Sequence, residues 1–210
     1  MARFDEHGGA ASRRTRPAYL LIEVALIVLG VMAGLMGNQL REEAALRKQS
    51  DKALGYIAVE MRTNLRQIEG VIEKHQALSD SLSALARQLD QLGRPANLGD
   101  LFKLAPQGFG AVLMQRSAWD LANQTGAVAN MDYDLSSELA AAYRLQEFYQ
   151  GKMNKIEDNI YIAQNMNPDN AAGLIYATSV LITDITFQEK KLVDRLGKLL
   201  DHLPVEEESP

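Results

Sequence analysis

The sequence of 210 residues contains no cysteine. This absence excludes disulfide bonds, thiolate metal sites and a cysteine nucleophile, but it leaves the cellular compartment open. Beyond residue 38 the chain has 18 Lys and Arg against 24 Asp and Glu, because four arginines of the 22 basic residues and three of the 27 acidic residues come earlier. An acidic chain without a basic stripe lacks the electrostatic surface that binds nucleic acid.

The sequence also lacks the spacings of familiar catalytic and metal sites. Its 3 histidines, His7, His75 and His202, lie on separate segments and form no His-x-x-x-His or Glu-x-x-His pair. A glycine-rich phosphate loop and a Gly-x-Ser-x-Gly elbow are missing as well. We therefore predict no catalytic residue, no metal ligand and no cofactor, identify no small-molecule ligand, and do not expect an enzyme.

One long apolar run stands out. The residues from Tyr19 to Gly37 include a single charged side chain, Glu23. As a helix the run would span about 28 Å, close to the hydrocarbon thickness of ~30 Å. A cleaved signal peptide is the alternative, but its apolar core is usually about 7–15 residues long and is followed by a small-x-small site. We predict an uncleaved transmembrane helix over residues 18–38, after a short basic tail, residues 1–17.

Basic residues indicate the orientation of this helix. Four lie on each side of it, so that their number alone does not decide. The basic residues nearest to the run, with no acidic residue between, are Arg13, Arg14 and Arg16. Their proximity predicts a cytoplasmic N-terminus and an extracytoplasmic domain.

Two features inside the run bear on association. Glu23 is either an intramembrane ionisable group that pairs with a partner or a boundary residue that reaches the headgroups and favours the positive end of the helix dipole. We prefer the second interpretation. Gly30 and Gly34, and Gly37 after Ala33, are spaced four apart, which allows two helix backbones to approach closely.

Residues 39–203 are predicted to form an all-α domain. From Leu54 to Leu92, apolar positions alternate three and four residues apart, which predicts a long helix packed against partners, ended by Gly93 and Pro95. After an irregular stretch over residues 98–108, a shorter helix is predicted from Phe109 to Thr125.

Two further helices are predicted in the second half of this domain. A third helix is predicted from an N-cap at Asp134 to about Asn165, with a similar seam. Asn167 and Pro168 are predicted to start a fourth helix as cap and first position. The acidic residues 204–210 are expected to be a disordered tail. We expect an elongated antiparallel bundle of about four helices.

Several polar and aromatic residues fall within these helices. His75 could be pH-sensitive, but a satisfied polar residue inside the bundle is preferred. Asn64 and Gln146 are expected to fix helix register rather than bind a ligand. Trp119 is expected to anchor the short helix against the bundle rather than form a ligand platform. Five tyrosines are expected at the edge of the core: Tyr133, Tyr143, Tyr149, Tyr161 and Tyr176.

Short motifs connect the membrane run with the domain. The run and its end carry Glu23, Gly30, Gly34-Leu35, Asn38 and Glu42. Further motifs are Ala53-Leu54, Ile57, Glu60-Met61 and Asn64, and then Ala118-Trp119-Asp120, Thr125-Gly126 and Tyr133-Asp134. Together they resemble a broad family of uncharacterised bacterial single-pass membrane proteins, except that Leu40 stands where the family often has Trp. The resemblance implies a helical protein anchored in the bacterial inner membrane, and it implies no activity.

These observations favour a non-enzymatic, membrane-anchored helical bundle that acts through protein–protein association. Its partners would be the lipid bilayer and either a second copy or another membrane protein. The alternative is an extracytoplasmic sensory or ligand-binding bundle. In the favoured orientation about 17 residues face the cytoplasm, too few for an output module, so that a sensor would signal through a partner membrane protein.

Overall fold

The computed structural model describes residues 17–92, 96–106, 108–110, 112–162 and 167–204. All regular elements within them are helical, which confirms the all-α class. They are α1 (Pro17–Leu92), α2 (Leu98–Leu104), α3 (Ser117–Gln124), α4 (Tyr133–Tyr161) and α5 (Ala171–Leu200), with 3₁₀ turns at Ala127–Asn130 and Pro168–Asn170. Most of the two predicted tails, and the breakers Gly93 and Pro95, lie outside the described residues. The chain divides into two units between Leu46 and Arg47.

The first unit contains the apolar start of α1. An 18-residue window near the N-terminus has a mean hydropathy of 2.4, and none of it is buried within the described protein. Large apolar side chains such as Leu26, Leu29 and Leu35 are exposed. A helix that is apolar on all sides suits hydrocarbon rather than water. The segment is therefore long and apolar enough to span a membrane.

α5 passes the same test of length and composition for a different reason. Its window has a mean hydropathy of 1.2, and 44% of the window is buried within the protein. Ile175, Ile182 and Ile185 are fully buried in the core. Part of its apolar content thus reflects packing inside the second unit.

In the second unit, side-chain hydrogen bonds define the directions of the long helices. Ser79 Oγ lies 2.8 Å from Thr183 Oγ1, and Ser83 Oγ lies 3.1 Å from Ser179 Oγ. The residue number thus falls on α5 as it rises on α1, so these two helices are antiparallel. α4 is antiparallel to α5 as well, because Tyr149 contacts Glu189 and Lys152 contacts Asp184. α1 and α4 are therefore parallel to each other, and the expectation of a bundle that is antiparallel throughout was wrong.

Burial confirms both heptad seams. Every seam position whose side chain is described, on α1 and on α4, is buried or half-buried. The fully buried apolar side chains of the α1 seam include Ile57, Met61, Ile68 and Leu82. On α4 they include Leu139 and Tyr149. The three-four alternation therefore identified the faces that meet in the core.

Two helix starts differ in detail from the prediction. The N-cap of α4 is Asp132, not Asp134, and its side chain accepts a hydrogen bond from the Leu135 N–H at 2.9 Å. Asp134 lies in the first turn, where a negative charge favours the helix dipole. Asn167 caps as predicted, with Pro168 following, but it caps the 3₁₀ turn that precedes α5. The predicted end of the third helix near Asn165 lies outside the described residues.

The connection between α1 and α4 departs most from the prediction. The stretch expected to be irregular forms α2, capped by Asn97, whose Oδ1 accepts from the Gly99 N–H at 2.8 Å. The helix predicted from Phe109 begins only at Ser117. We call the described residues between Leu98 and Asn130 the return segment. With three long helices and two short ones in the second unit, the count of about four is not confirmed.

Distances along α1 explain the late start of α3. The Phe109 carbonyl bonds to His75, and Gln115 bonds to Asn64, so that six steps of the return segment cover eleven steps of α1. Eleven helical steps rise about 16 Å, whereas six would rise only about 9 Å. Six extended residues reach about 20 Å. The return segment must therefore be extended here, whatever its helical propensity.

Candidate functional site

Glu60 links α1, α3 and α4. Its carboxylate is buried, with Oε1 accepting from the Tyr143 hydroxyl at 2.7 Å. Oε2 accepts from Ser117 Oγ at 3.1 Å and from the Ala118 N–H at 2.8 Å. The cap residue of α3, Arg116, makes no side-chain cap bond, so Glu60 caps this helix from another element. The three donors offset the cost of burying the charge.

An aromatic pair packs beside this carboxylate. The rings of Trp119 and Tyr143 are stacked, with centroids 5.0 Å apart and planes at 16°. Burial, and then the hydrogen bond and charge of Glu60, raise the pKa of Tyr143 above its ordinary value. Tyr143 therefore stays a protonated donor. Trp119 belongs to the core cluster, which confirms that it anchors the short helix.

Asn64 holds the return segment by its backbone. Its Nδ2 donates to the Gln115 carbonyl at 2.7 Å, and the Gln115 N–H donates back to Oδ1 at 2.8 Å. The carboxamide thereby takes the place that a neighbouring strand would take in a ladder. Asn64 is fully buried. The register that it fixes is that of the return segment along α1.

His75 forms a second buried polar junction. Its Nε2 lies 2.6 Å from the Phe109 carbonyl, which can only accept, so Nε2 carries a proton. Its Nδ1 lies 2.6 Å from Glu189 Oε1, and the Tyr149 hydroxyl donates to the same oxygen at 2.9 Å. His75 and Glu189 are both fully buried. The predicted satisfied polar residue is confirmed, and it joins α1, α4, α5 and the return segment.

Opposing effects act on the protonation of this junction. Burial lowers the pKa of His75, but the hydrogen bond and charge of Glu189 outweigh it, so that the pKa is raised. Burial, followed by the charge of Glu189, raises the pKa of Tyr149. Glu189 Oε2 is buried without a hydrogen-bond partner in the described part of the chain. The junction therefore favours a proton between His75 and Glu189.

Gly110 permits the close approach of the return segment to His75. Gly108 has a φ of +76° and Gly110 a φ of +71°, both in the left-handed region that favours glycine. A Cβ at Gly110 would lie 3.3 Å from His75 Nε2 and 3.4 Å from Lys74 Nζ. A side chain here would strain the backbone and crowd the imidazole.

A cleft of about 580 Å³ opens between α1 and the return segment. Hydrogen bonds join its walls at two places: Gln49 Nε2 donates to the Thr125 carbonyl at 3.1 Å, and Glu60 binds the start of α3. Its apolar lining residues are Ala53, Val59, Ala118, Leu121, Ala122 and Ala127. Tyr56 and Leu121 remain 57% exposed there. We call this feature the α1–α3 cleft.

Gln146 behaves differently from Asn64. It is buried, but neither polar atom of its side chain has a hydrogen-bond partner among the described residues. It borders a cavity of about 120 Å³ together with Arg116 and Glu147. No hydrogen bond among the described residues therefore supports the prediction that Gln146 fixes helix register.

The five tyrosines do not share one environment. Tyr143 and Tyr149 are buried in the core, deeper than the edge position expected for them. Tyr133 and Tyr176 are 82% and 66% exposed, so their placement at the core edge was wrong. The side chain of Tyr161 lies outside the described part. Tyr149 is on the α4 seam, whereas Tyr143 lies beside the seam and is buried by its stacking on Trp119 and its hydrogen bond to Glu60.

α5 presents an apolar stripe to solvent. Tyr176, Val180 and Phe187 are four and seven residues apart, so they lie along one face of the helix. All three are more than half exposed. Lys191 Nζ lies 4.4 Å from the centroid of the Phe187 ring and adds a cation at the border. We call this surface the α5 stripe.

The membrane-run candidates lie on the open surface of α1. A Cβ built on Gly30, Gly34 or Gly37 would meet no described atom within 4 Å. Glu23 is exposed within the first unit. These glycines thus leave room on α1 for another helix, and the described chain does not fill it.

Sequence reasoning missed the two buried carboxylates. Glu60 lies beside the seam residue Met61, whereas Glu189 stands at a spacing of four and three between the buried residues Ile185 and Leu192 of α5. Acidic residues are ordinarily solvated, so neither was expected in the core. Glu60 did stand within a motif of the family resemblance, without a role attached to it. Among the described residues, no three His, Asp or Glu side chains come together closely enough to hold a metal ion.

No family model, curated protein or solved structure matches this chain. The surfaces open to a partner in the described second unit include the α5 stripe and the α1–α3 cleft.

Proposed function

We propose that this chain is a non-enzymatic, membrane-anchored helical protein that acts by associating with a second copy or with a partner membrane protein. The α5 stripe carries this proposal. Its three large apolar side chains, Tyr176, Val180 and Phe187, lie in line at helical spacing and are more than half exposed. Thr183 and Asp184 lie between Val180 and Phe187 on this face, and apolar anchors at such helical spacing are typical of sites that bind a partner helix.

In this proposal residues 18–38 form a single membrane span in a bacterial inner membrane. The N-terminus is cytoplasmic and the helical domain is periplasmic. The arginine cluster before Tyr19 supports this orientation. A reporter enzyme that works only in the periplasm, fused after Pro210, is expected to be active. An inactive fusion, together with an active cytoplasmic reporter at the same place, would reverse the orientation.

The membrane helix would contribute to association as well. Gly30, Gly34 and Gly37 have open space around them, so two backbones can approach there. Glu23 would lie at the headgroup boundary rather than pair with a partner.

The absence of cysteine makes a direct test possible, because one introduced thiol is unique. In native membranes, Val180→Cys and Gly34→Cys are each oxidised and analysed on non-reducing gels. We expect crosslinked dimers or adducts with a partner. Lys155→Cys, exposed on α4, is the matched control and should remain monomeric. Monomer alone from both test variants would refute association.

A ligand-binding or sensory role is the second candidate, and the α1–α3 cleft is the observation in its favour. Its volume of about 580 Å³ falls within the range of ligand pockets, about 300–1,000 Å³. Such a protein would signal through a partner membrane protein. If no class of small molecule raises the thermal midpoint of the full chain in lipid nanodiscs, this second role fails while association by the α5 stripe stands.

A further inference from the structure

The walls of the α1–α3 cleft are held in place before any ligand arrives. Gln49 holds the Thr125 carbonyl toward one end, and Glu60 holds the Ala118 N–H toward the other. Beyond Glu60 along α1, Asn64 holds the backbone of Gln115, which also lines the cleft. A preformed site spares a ligand the cost of ordering its walls.

The lining favours a ligand with an apolar body. Ala53, Val59 and Ala122 form much of its floor and walls. Tyr56 and Leu121 stay 57% exposed at the cleft. Covering these two side chains would remove apolar surface from water, which is the main favourable term in binding such a body.

The charges of the cleft are unequal at its two ends. Lys52 is the one cation among the described lining residues. Its ammonium makes no ion pair within the described chain and lies 5.9 Å from the centroid of the Tyr56 ring. Glu60, about 12 Å further along α1, already receives three hydrogen bonds. The charge left for a ligand is therefore positive and lies at Lys52.

We propose that the α1–α3 cleft binds a small anionic amphiphile: a free carboxylic or sulfonic acid on an aromatic or aliphatic body. The acid group pairs with Lys52, and the body covers Tyr56, Val59 and Leu121. This inference deepens the second candidate function and is independent of association through the α5 stripe. It requires no change of conformation, because the cleft is already open.

The test uses the full chain in zwitterionic phosphatidylcholine nanodiscs, with empty nanodiscs subtracted. The probe is 2-naphthoate, followed by calorimetry, and its neutral isostere is 2-naphthamide. We expect saturable binding of one naphthoate per chain, with the amide roughly fivefold weaker, since one partly exposed ion pair is lost. Equal affinity for the two probes, or no saturable binding of naphthoate, overturns the proposal. If the neutral probe alone binds, the ligand-binding function survives without this inference.

Two charge variants have matched controls. Lys52→Glu should weaken naphthoate binding more than tenfold, whereas Lys155→Glu on α4 should not change it. Leu121→Glu should abolish binding, whereas Leu113→Glu, in the same return segment but outside the lining, should leave it intact. Both leucines are well exposed, at 57% and 79%, so neither change disturbs the core. Unchanged affinity in Lys52→Glu or Leu121→Glu contradicts the proposed site.

Two further experiments test whether a second copy of the chain or a lipid headgroup occupies the cleft instead. If a Tyr56→Cys chain forms disulfide-linked dimers in native membranes, a second copy covers the cleft and the proposal is wrong. If anionic phosphatidylglycerol nanodiscs suppress naphthoate binding that phosphatidylcholine nanodiscs allow, the occupant is a lipid headgroup instead of a free acid. Binding that is equal in both lipids, without Tyr56→Cys dimers, supports the free acid.

Discussion

The part of α1 up to Leu46 and the part from Arg47 onward belong to different units and have different surfaces. From Tyr19 to Gly37, apolar side chains lie on every face with Glu23 as the one charged residue, and none of the apolar window is buried in the described chain. After Arg47, a seam is buried and carries polar groups such as Asn64 and His75. The first surface is apolar enough to be surrounded by the hydrocarbon of a bilayer, whereas the second packs against particular side chains within the fold.

Two glutamates make the contrast concrete. Glu23 is exposed in the first part, and the described chain offers it no hydrogen bond. Glu60 is buried in the second part and receives hydrogen bonds from Tyr143, Ser117 and Ala118. These partners lie 57–83 residues away in sequence. A polar residue on α1 is thus costly or useful according to what the tertiary structure brings to it.

The largest effect is expected from charges in the first part. Leu26→Arg combined with Leu29→Arg should cost about 5–7 kcal/mol of insertion free energy, from about 2.5–3.5 kcal/mol for each arginine. The protein should leave the carbonate-resistant membrane fraction. Leu113→Arg, exposed in the second unit, is the control and should stay in that fraction. A double variant that remains membrane-bound would contradict the membrane assignment.

The next effect concerns the second part. Glu60→Ala removes the acceptor for three donors, including the buried Tyr143 hydroxyl, and should lower the free energy of unfolding by about 3 kcal/mol. Thermal and urea unfolding of the full chain in nanodiscs measure it. Glu69→Ala, exposed on the same helix, should change stability by less than about 0.5 kcal/mol. A similar loss in both variants would show that the three hydrogen bonds contribute little.

The His75 junction predicts a smaller, pH-dependent effect. Because the pKa of His75 is raised in the fold from 6.5, its stabilisation is complete below 6.5 and is lost as the pH rises through the folded value. The thermal midpoint should therefore fall as the pH rises above about 6.5. In His75→Gln this part of the pH dependence should disappear. Identical pH profiles for the two proteins would exclude His75 as its source.

The smallest effect is expected at Glu23. If this carboxylate only reaches the headgroups, Glu23→Gln should leave the membrane fraction and the Gly34→Cys crosslinks unchanged. Gel analysis of the double variant Glu23→Gln, Gly34→Cys measures both. Loss of the crosslinks, with expression and membrane fraction maintained, would give Glu23 the pairing role that we set aside.

The sequence by itself determined the apolar run, the buried faces of α1 and α4, and the break at Asn167 and Pro168. Each depends on local sequence alone. Apolar composition predicts the membrane run, a spacing of three and four residues predicts the buried face of a helix, and a capping side chain bonds to the backbone beside it. Trp119 as an anchor followed from its size and its alanine neighbours.

Only the tertiary structure decided the path of the return segment and the site that it forms. Asn64 and His75 attach it to α1 at points too far apart for a helix to reach, so it is extended where its residues predicted a helix. Glu60 became a cap, and the α1–α3 cleft opened beside it, for the same reason. These contacts join residues 34–83 positions apart, and such pairings are absent from local pattern.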